Sequence, residues 1–108
     1  QRDFAAAREW YLKSLAISEK QGDEHGAAHT YGQLGILAGL QVAYIEAAEW
    51  LVRCVAAFLR NNHQHGAKRN ISNLLVVHGR ASATEQEKIV SIWTAANLGP
   101  FPTKEEPS

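Results

Sequence analysis

The sequence predicts an all-α protein, and three observations carry that expectation. Proline occurs only at positions 100, 102 and 107, so nothing before the tail forces a helix to break. Ala, Leu, Glu, Gln, Lys and Arg, the good helix formers, dominate the rest. The chain also repeats itself. Shifted by forty residues, segment 3–40 aligns with 43–80, and nine of the 38 aligned positions are identical: Ala7/Ala47, Glu9/Glu49, Trp10/Trp50, Ala16/Ala56, His25/His65, Gly26/Gly66, Ala27/Ala67, Leu34/Leu74 and Gly39/Gly79. Identities spread over a whole unit point to a helix-turn-helix repeat.

Five helices are expected, at about 3–20, 24–40, 44–61, 65–79 and 83–98. Asp3 supplies an N-cap for the first. Gly22-Asp23 provides a glycine to end it and a cap to begin the second. Ser82-Ala-Thr-Glu85 has the capping-box pattern that opens the fifth, and Gly99-Pro100 closes it. The segment 1–98 is read as one helical repeat domain, and the polar tail within 99–108 is expected to be disordered. Trp93 and Phe101 are placed to fold the start of that tail onto the last helix.

The residues resemble the tetratricopeptide repeat (TPR) family. Tyr31-Gly-Gln-Leu34-Gly35-Ile-Leu-Ala38 followed by Tyr44-Ile-Glu-Ala47-Ala-Glu-Trp-Leu51-Val-Arg-Cys54 is similar to the TPR order of aromatic, Leu-Gly, small, then aromatic, Ala, bulky, small. Phe4-Ala-Ala-Ala7-Arg-Glu-Trp-Tyr11-Leu-Lys-Ser14-Leu15-Ala-Ile17 is similar to the second helix of such a unit. Lys13 to Ile17 followed by Gly22-Asp23 resembles the longer bacterial and kinesin-light-chain-like variety, with units of about forty residues. Three departures stand out. Val42 occupies the usual turn glycine, Leu74-Leu75 replaces Leu-Gly, and 83–98 lacks the small positions.

The resemblance implies a right-handed α-solenoid of stacked antiparallel helix pairs, about two and a half units, with the last helix a cap. It implies close helix crossings at the small residues Ala7, Ser14, Gly35, Ala47 and Cys54, filled around by Tyr11, Leu15, Tyr31, Leu34, Tyr44 and Leu51. It also implies a partner-binding groove lined by His29, Gly32, Gln33, Ile36 and Gly39, and in the next unit by Arg69, Ser72, Asn73, Val76 and Gly79. Lysine and asparagine are missing where a terminal-carboxylate clamp needs them, so an extended or helical peptide suits this lining better. The function expected is a non-catalytic protein-interaction scaffold.

The chain has no methionine and begins in mid-pattern at Gln1, which reads as part of a longer array near its C-terminal end. The first helix then lacks a partner. Its face on Phe4, Ala7, Tyr11 and Leu15 is expected to be open and to self-associate. A capping or oligomerisation segment of a larger protein is the alternative reading.

Formal net charge is zero, which excludes a strong overall field toward nucleic acid or an anionic membrane. The charge is uneven, however. Arg53, Arg60, Lys68, Arg69 and Arg80 stand in a stretch, 50–84, that holds no acidic residue, and the flanks are acidic. Such a basic patch suits an acidic protein surface or a phosphorylated ligand; nucleic acid ranks below these because no nucleic-acid-reading motif is present. No apolar run approaches the length that crosses a bilayer. A single cysteine excludes an internal disulfide and fits a cytoplasmic location.

Among the five histidines, His25 and His29 lie four apart and His63 and His65 two apart. A zinc site needs three or four converging ligands, and only Asp23 and Glu24 are near, so no metal is expected. Cys54 is expected to be buried and unreactive. No phosphate loop, nucleophile elbow or metalloprotease helix is present, and no cofactor is called for.

Overall fold

The computed structural model describes residues 3–103. Five helices follow in order: α1 Phe4–Gln21, α2 Glu24–Leu40, α3 Tyr44–Arg60, α4 Gln64–Arg80 and α5 Ala83–Ala95, with no strand among the described residues.

Three of the four connections have the same backbone chemistry. Gly22, Val42 and Asn62 adopt φ of 69°, 63° and 63° at twenty-residue intervals. At each, the next residue's N–H reaches a carbonyl five residues back: Asp23 to Ser18 at 2.8 Å, Ala43 to Ala38 at 2.9 Å and His63 to Phe58 at 2.8 Å. These are Schellman closures, which satisfy carbonyls that a helix end leaves without partners. The backbone thus repeats every twenty residues, where the sequence repeats every forty. Glycine and asparagine tolerate the left-handed conformation. Valine does not, so the rest of the structure holds Val42 there against its own preference.

The expected caps are present at three starts. Asp3 Oδ1 accepts from the Ala6 N–H at 3.0 Å, and Asp23 Oδ1 from the Gly26 N–H at 2.9 Å. Ser82 and Glu85 form the reciprocal capping box at 3.2 and 2.9 Å. Ala43 and His63 give no side-chain cap, and packing sets those starts instead.

The last helix ends at Ala95, three residues short of the sequence expectation. Asn97 and Gly99 turn left-handed, and the Trp93 Nε1–H donates to the carbonyls of Gly99 (3.0 Å) and Pro100 (3.1 Å). Phe101 comes back edge-on to Trp93, with ring centroids 6.0 Å apart. The segment 99–103, expected as disordered tail, is folded against α5 through that contact. The remainder of the tail, 104–108, lies outside the described residues.

α3 is the centre of the core. Ala47, Ala48, Leu51, Val52, Cys54, Val55, Ala57 and Phe58 are all buried on it, because it packs against α2, α4 and α5 together. Leu51, Leu74 and Ile89 are fully buried; each such side chain contributes roughly 1.5–3 kcal/mol. α1 packs along α2 through a smaller cluster of Leu15, Ala27 and Leu34, flanked by Tyr11, Leu12, Tyr31 and Trp50. Contacts also join next-but-one helices, α2 with α4 and α3 with α5.

Small residues set these distances. A Cβ on Gly35 would lie 2.7 Å from Leu51 Cγ, and one on Gly66 3.0 Å from the Phe58 ring. Ala47 and Cys54 are fully buried as expected of crossing positions, whereas Ala7 and Ser14 are only half-buried. No described helix is long and apolar enough to cross a membrane.

Candidate functional site

Because α2 touches α4 with α3 behind them, one side of each helix borders a shared groove. On α2 the bordering residues are His29, Gln33, Ile36 and Leu40; on α4 they are Arg69, Asn73, Val76 and Arg80. Both sets have the spacing i, i+4, i+7, i+11, which keeps side chains on one helical stripe. The two stripes are also forty-residue equivalents, so the groove has rungs: His29 with Arg69, Gln33 with Asn73, Ile36 with Val76, and Leu40 with Arg80.

The rungs divide the groove into two connected hollows. A polar one of about 220 Å³ lies among His29, Gly32, Gln33, Arg69, Asn70 and Asn73, floored by Cys54 and Phe58. The other, of about 320 Å³ and bordered mostly by apolar residue types, lies among Gly35, Leu40, Val42, Tyr44, Leu51, Val76, Val77 and Arg80. Ile36 and Asn73 border both. Ile36 and Val76, which line the same hollow, are 45% and 52% exposed. Gly32 opens the polar end, since a Cβ there would come within 3.1 Å of Asn70 Oδ1.

The amides have complementary unused valences. Tyr11 donates its hydroxyl to Gln33 Oε1 at 3.5 Å, which leaves the Gln33 NH2 as a donor. Asn73 donates Nδ2 to Asn70 Oδ1 at 3.4 Å, which leaves its carbonyl as an acceptor. Asn70 is itself buried and anchored by donating to the Gly66 carbonyl at 2.9 Å, as its repeat equivalent Thr30 donates to Gly26 at 3.1 Å. One spare donor and one spare acceptor bordering the same hollow match the C=O and N–H of a peptide unit.

Eight of the ten sequence-expected groove residues therefore border the two hollows. Ser72 does not; it is exposed, rotated off the stripe beside Asn73, and donates back to the Lys68 carbonyl at 3.2 Å. Gly39 lines the apolar hollow and Gly79 faces open space. Sequence reasoning missed Leu40, Val42 and Tyr44, and it assigned Arg80 to the basic patch only. The signal was there for two of them: Leu40 and Arg80 are repeat-equivalent and one turn beyond Ile36 and Val76.

The five cations of the basic stretch do not form one patch. Arg69 and Arg80 border the groove. Arg53 lies 5.1 Å over the Trp50 ring, and Arg60 lies 3.7 Å from Glu24, both on the side of α3 that faces Tyr31. Lys68 is exposed one position off the groove stripe. An absence of local acids in the sequence did not translate into a shared face because successive positions rotate around a helix.

The expected outer face of α1 also needs correction. Leu15 is buried against Ala27 and Leu34, and Tyr11 is half-buried, so these residues point into α2. Phe4 and Ala7 are half-buried as well. The large apolar side chains that α1 presents to solvent are Trp10 (68% exposed) and Ile17 (57%). They are seven residues apart and share a stripe.

His25 lies tilted against His63 with ring centroids 4.6 Å apart, beside Phe58, while His29 sits in the groove. Among the described residues no three His, Cys, Asp or Glu side chains converge on a metal-sized site. Cys54 is fully buried, and that burial pushes its thiol up to about 12.

Comparison with known proteins finds no matching family model, no matching curated protein and no matching solved structure.

Proposed function

We propose that this chain is a TPR-like segment, a right-handed stack of antiparallel helix pairs, whose groove between α2 and α4 holds an extended segment of another protein. The forty-residue sequence echo, the twenty-residue turn echo and the packing of next-but-one helices support the solenoid arrangement. The observation that carries the binding reading is the Gln33–Asn73 rung, whose spare donor and acceptor suit a peptide backbone directly beside the exposed Ile36–Val76 rung. Rigid helices presenting such a surface lose little conformational freedom on binding. The proposed role is non-catalytic, with Cys54 a buried thiol at neutral pH. A free thiol suits the reducing cytoplasm.

A peptide array probed with the purified protein tests this. Ile36→Glu with Val76→Glu should lose every peptide that the unaltered protein holds, at unchanged far-UV circular dichroism. Peptides retained by that double variant, or none held by the unaltered protein, would sink the reading.

A second reading, a capping or self-associating segment, is favoured by Trp10 alone. Its repeat equivalent Trp50 stacks on Tyr31 with centroids 5.9 Å apart, so Trp10 has the side chain for a neighbouring helix that α1 does not meet here. Sedimentation equilibrium decides it: association should rise with concentration and vanish in Trp10→Glu with Ile17→Glu. The dispersal of Arg53, Arg60 and Lys68 weighs against nucleic acid or a phospho-ligand spanning the basic stretch.

A further inference from the structure

Resting on the peptide-groove reading, we infer that the occupant is an extended segment carrying two acidic residues that bracket an aliphatic one, in the order acidic, any, any, aliphatic, any, acidic, read in either chain direction. The groove is bounded lengthwise by Arg69 at its polar end and Arg80 at its apolar end. Neither takes part in an ion pair among the described residues, where Arg8 and Arg60 do. No Asp or Glu lines either hollow, so the two guanidinium groups have no internal counter-charge in the groove. His29 adds a further donor beside Arg69.

The spacing follows from helix geometry. Eleven residues separate Arg69 from Arg80 on α4, a rise of about 16.5 Å. That length matches about five steps of extended chain at ~3.3 Å each. The Ile36–Val76 rung lies seven residues beyond the first, about 10.5 Å along, or about three extended steps. An aliphatic side chain at the fourth of six positions therefore meets the apolar hollow on the same side of the extended chain as the sixth carboxylate, which meets Arg80; the first carboxylate alternates to the outer side, where the exposed Arg69 side chain reaches it from the groove rim. The Gln33–Asn73 rung lies four residues from the first, about 6 Å, where it meets the backbone between the second and third residues. A helical occupant would need its acids about eleven residues apart, and would hide the backbone groups that the amide rung is free to bind.

The test uses capped, fluorescently labelled hexapeptides and anisotropy. Asp-Ser-Ala-Leu-Ala-Asp should bind the unaltered protein about tenfold more tightly than the same peptide with Asn at both ends, since two exposed charge pairs are lost. Salt should weaken the first and leave the second nearly unchanged. Arg69→Glu with Arg80→Glu should instead prefer the same hexapeptide with Lys at both ends, and the peptide-side comparison of Asp with Asn stands even if that variant does not fold. Equal binding of the Asp- and Asn-ended peptides, both lost in Ile36→Glu with Val76→Glu, overturns the charge bracket and leaves the groove reading intact. Failure of all these hexapeptides, with array peptides still held, likewise overturns the bracket alone.

Discussion

Gly35 and Leu51 meet where α2 crosses α3: a methyl group on the glycine would stand 2.7 Å from Leu51 Cγ, 2.8 Å from its Cδ2 and 3.3 Å from the Ala47 carbonyl oxygen. Leu51 is fully buried and cannot swing away without displacing other core atoms. Glycine in a helix interior costs ~1 kcal/mol relative to alanine, so the contact offsets that cost through close packing.

Gly35→Ala should consequently destabilise the protein, by about 1–3 kcal/mol, although alanine is the better helix former. Gly79→Ala is the control. Nothing lies within 4 Å of its added Cβ, so the propensity gain should appear as up to ~1 kcal/mol of stabilisation. Urea unfolding of the pair reads both signs. A stabilised Gly35→Ala would mean that α2 and α3 are not this close.

The turn at Val42 gives a prediction in the opposite direction. Its φ of 63° costs a β-branched residue ~1–2 kcal/mol, and the side chain is largely exposed, so little burial compensates. Val42→Asn, which copies Asn62, should stabilise by about 0.5–1 kcal/mol. Val42→Gly should do less, because glycine gains freedom in the unfolded chain. Thermal unfolding compares the three; Gly22→Val should lose stability in the same experiment.

Val42 also shows what the sequence made legible and what it did not. The five helices, three side-chain caps and the Gly22 turn were readable because each rests on local chemistry: proline placement, Asx and Ser caps, and one glycine. That Val42 takes the same backbone conformation as Gly22 was not readable from the residue itself, because valine's preference is overruled by the packing of α2 on α3, and Asn62, which tolerates that conformation, was not singled out. The same limit governs the site. The family resemblance placed His29, Gln33, Ile36, Arg69, Asn73 and Val76 on one lining, and these residues do border the two hollows, on stripes of alternate helices. Leu15 was assigned both to the packing between helices and to an open face of α1, and the structure keeps only the first, because an apolar stripe announces that it will be covered and leaves unstated which neighbour covers it. The cations at 53 and 60 were grouped with Arg69 by chain proximity, which carries no angular information about a helix surface.

Acid sensitivity should trace to Glu46. Its carboxylate accepts from the Trp50 Nε1–H at 3.1 Å and from Arg8 at 3.0 Å, and the first of these, then the second, holds it below its ordinary value of 4.5. A depressed native value means that the contribution is complete above about 4.5 and is lost as pH falls through the lower native value. Glu46→Gln keeps an acceptor for Trp50 and removes the titration. Stability measured from about pH 6 to about pH 3 should fall less steeply in the variant. Parallel curves would show that the Trp50 and Arg8 bonds do not favour the charged form. The half-exposed Arg8 pair adds little by itself, so the indole bond should dominate any difference.

The return of the chain onto α5 should be worth measurable stability. Trp93 is buried, gives its single N–H to the Gly99 and Pro100 carbonyls, and has Phe101 against its edge. Phe101 also lies 4.9 Å from the His78 ring of α4, so it bridges the last two helices. Phe101→Ala removes a half-buried ring, a loss of about 1–2 kcal/mol, and frees the segment that supplies the indole's acceptors. A buried indole N–H without a partner is costly, so Trp93 should then turn toward water. The expected outcome is a melting temperature lower by about 4–8 °C per kcal/mol lost, with a red shift in the emission of a variant whose only tryptophan is Trp93. Phe101→Leu should restore part of the stability but none of the edge-on ring contact. An unchanged melting point and emission in Phe101→Ala would place the chain after Ala96 away from α5.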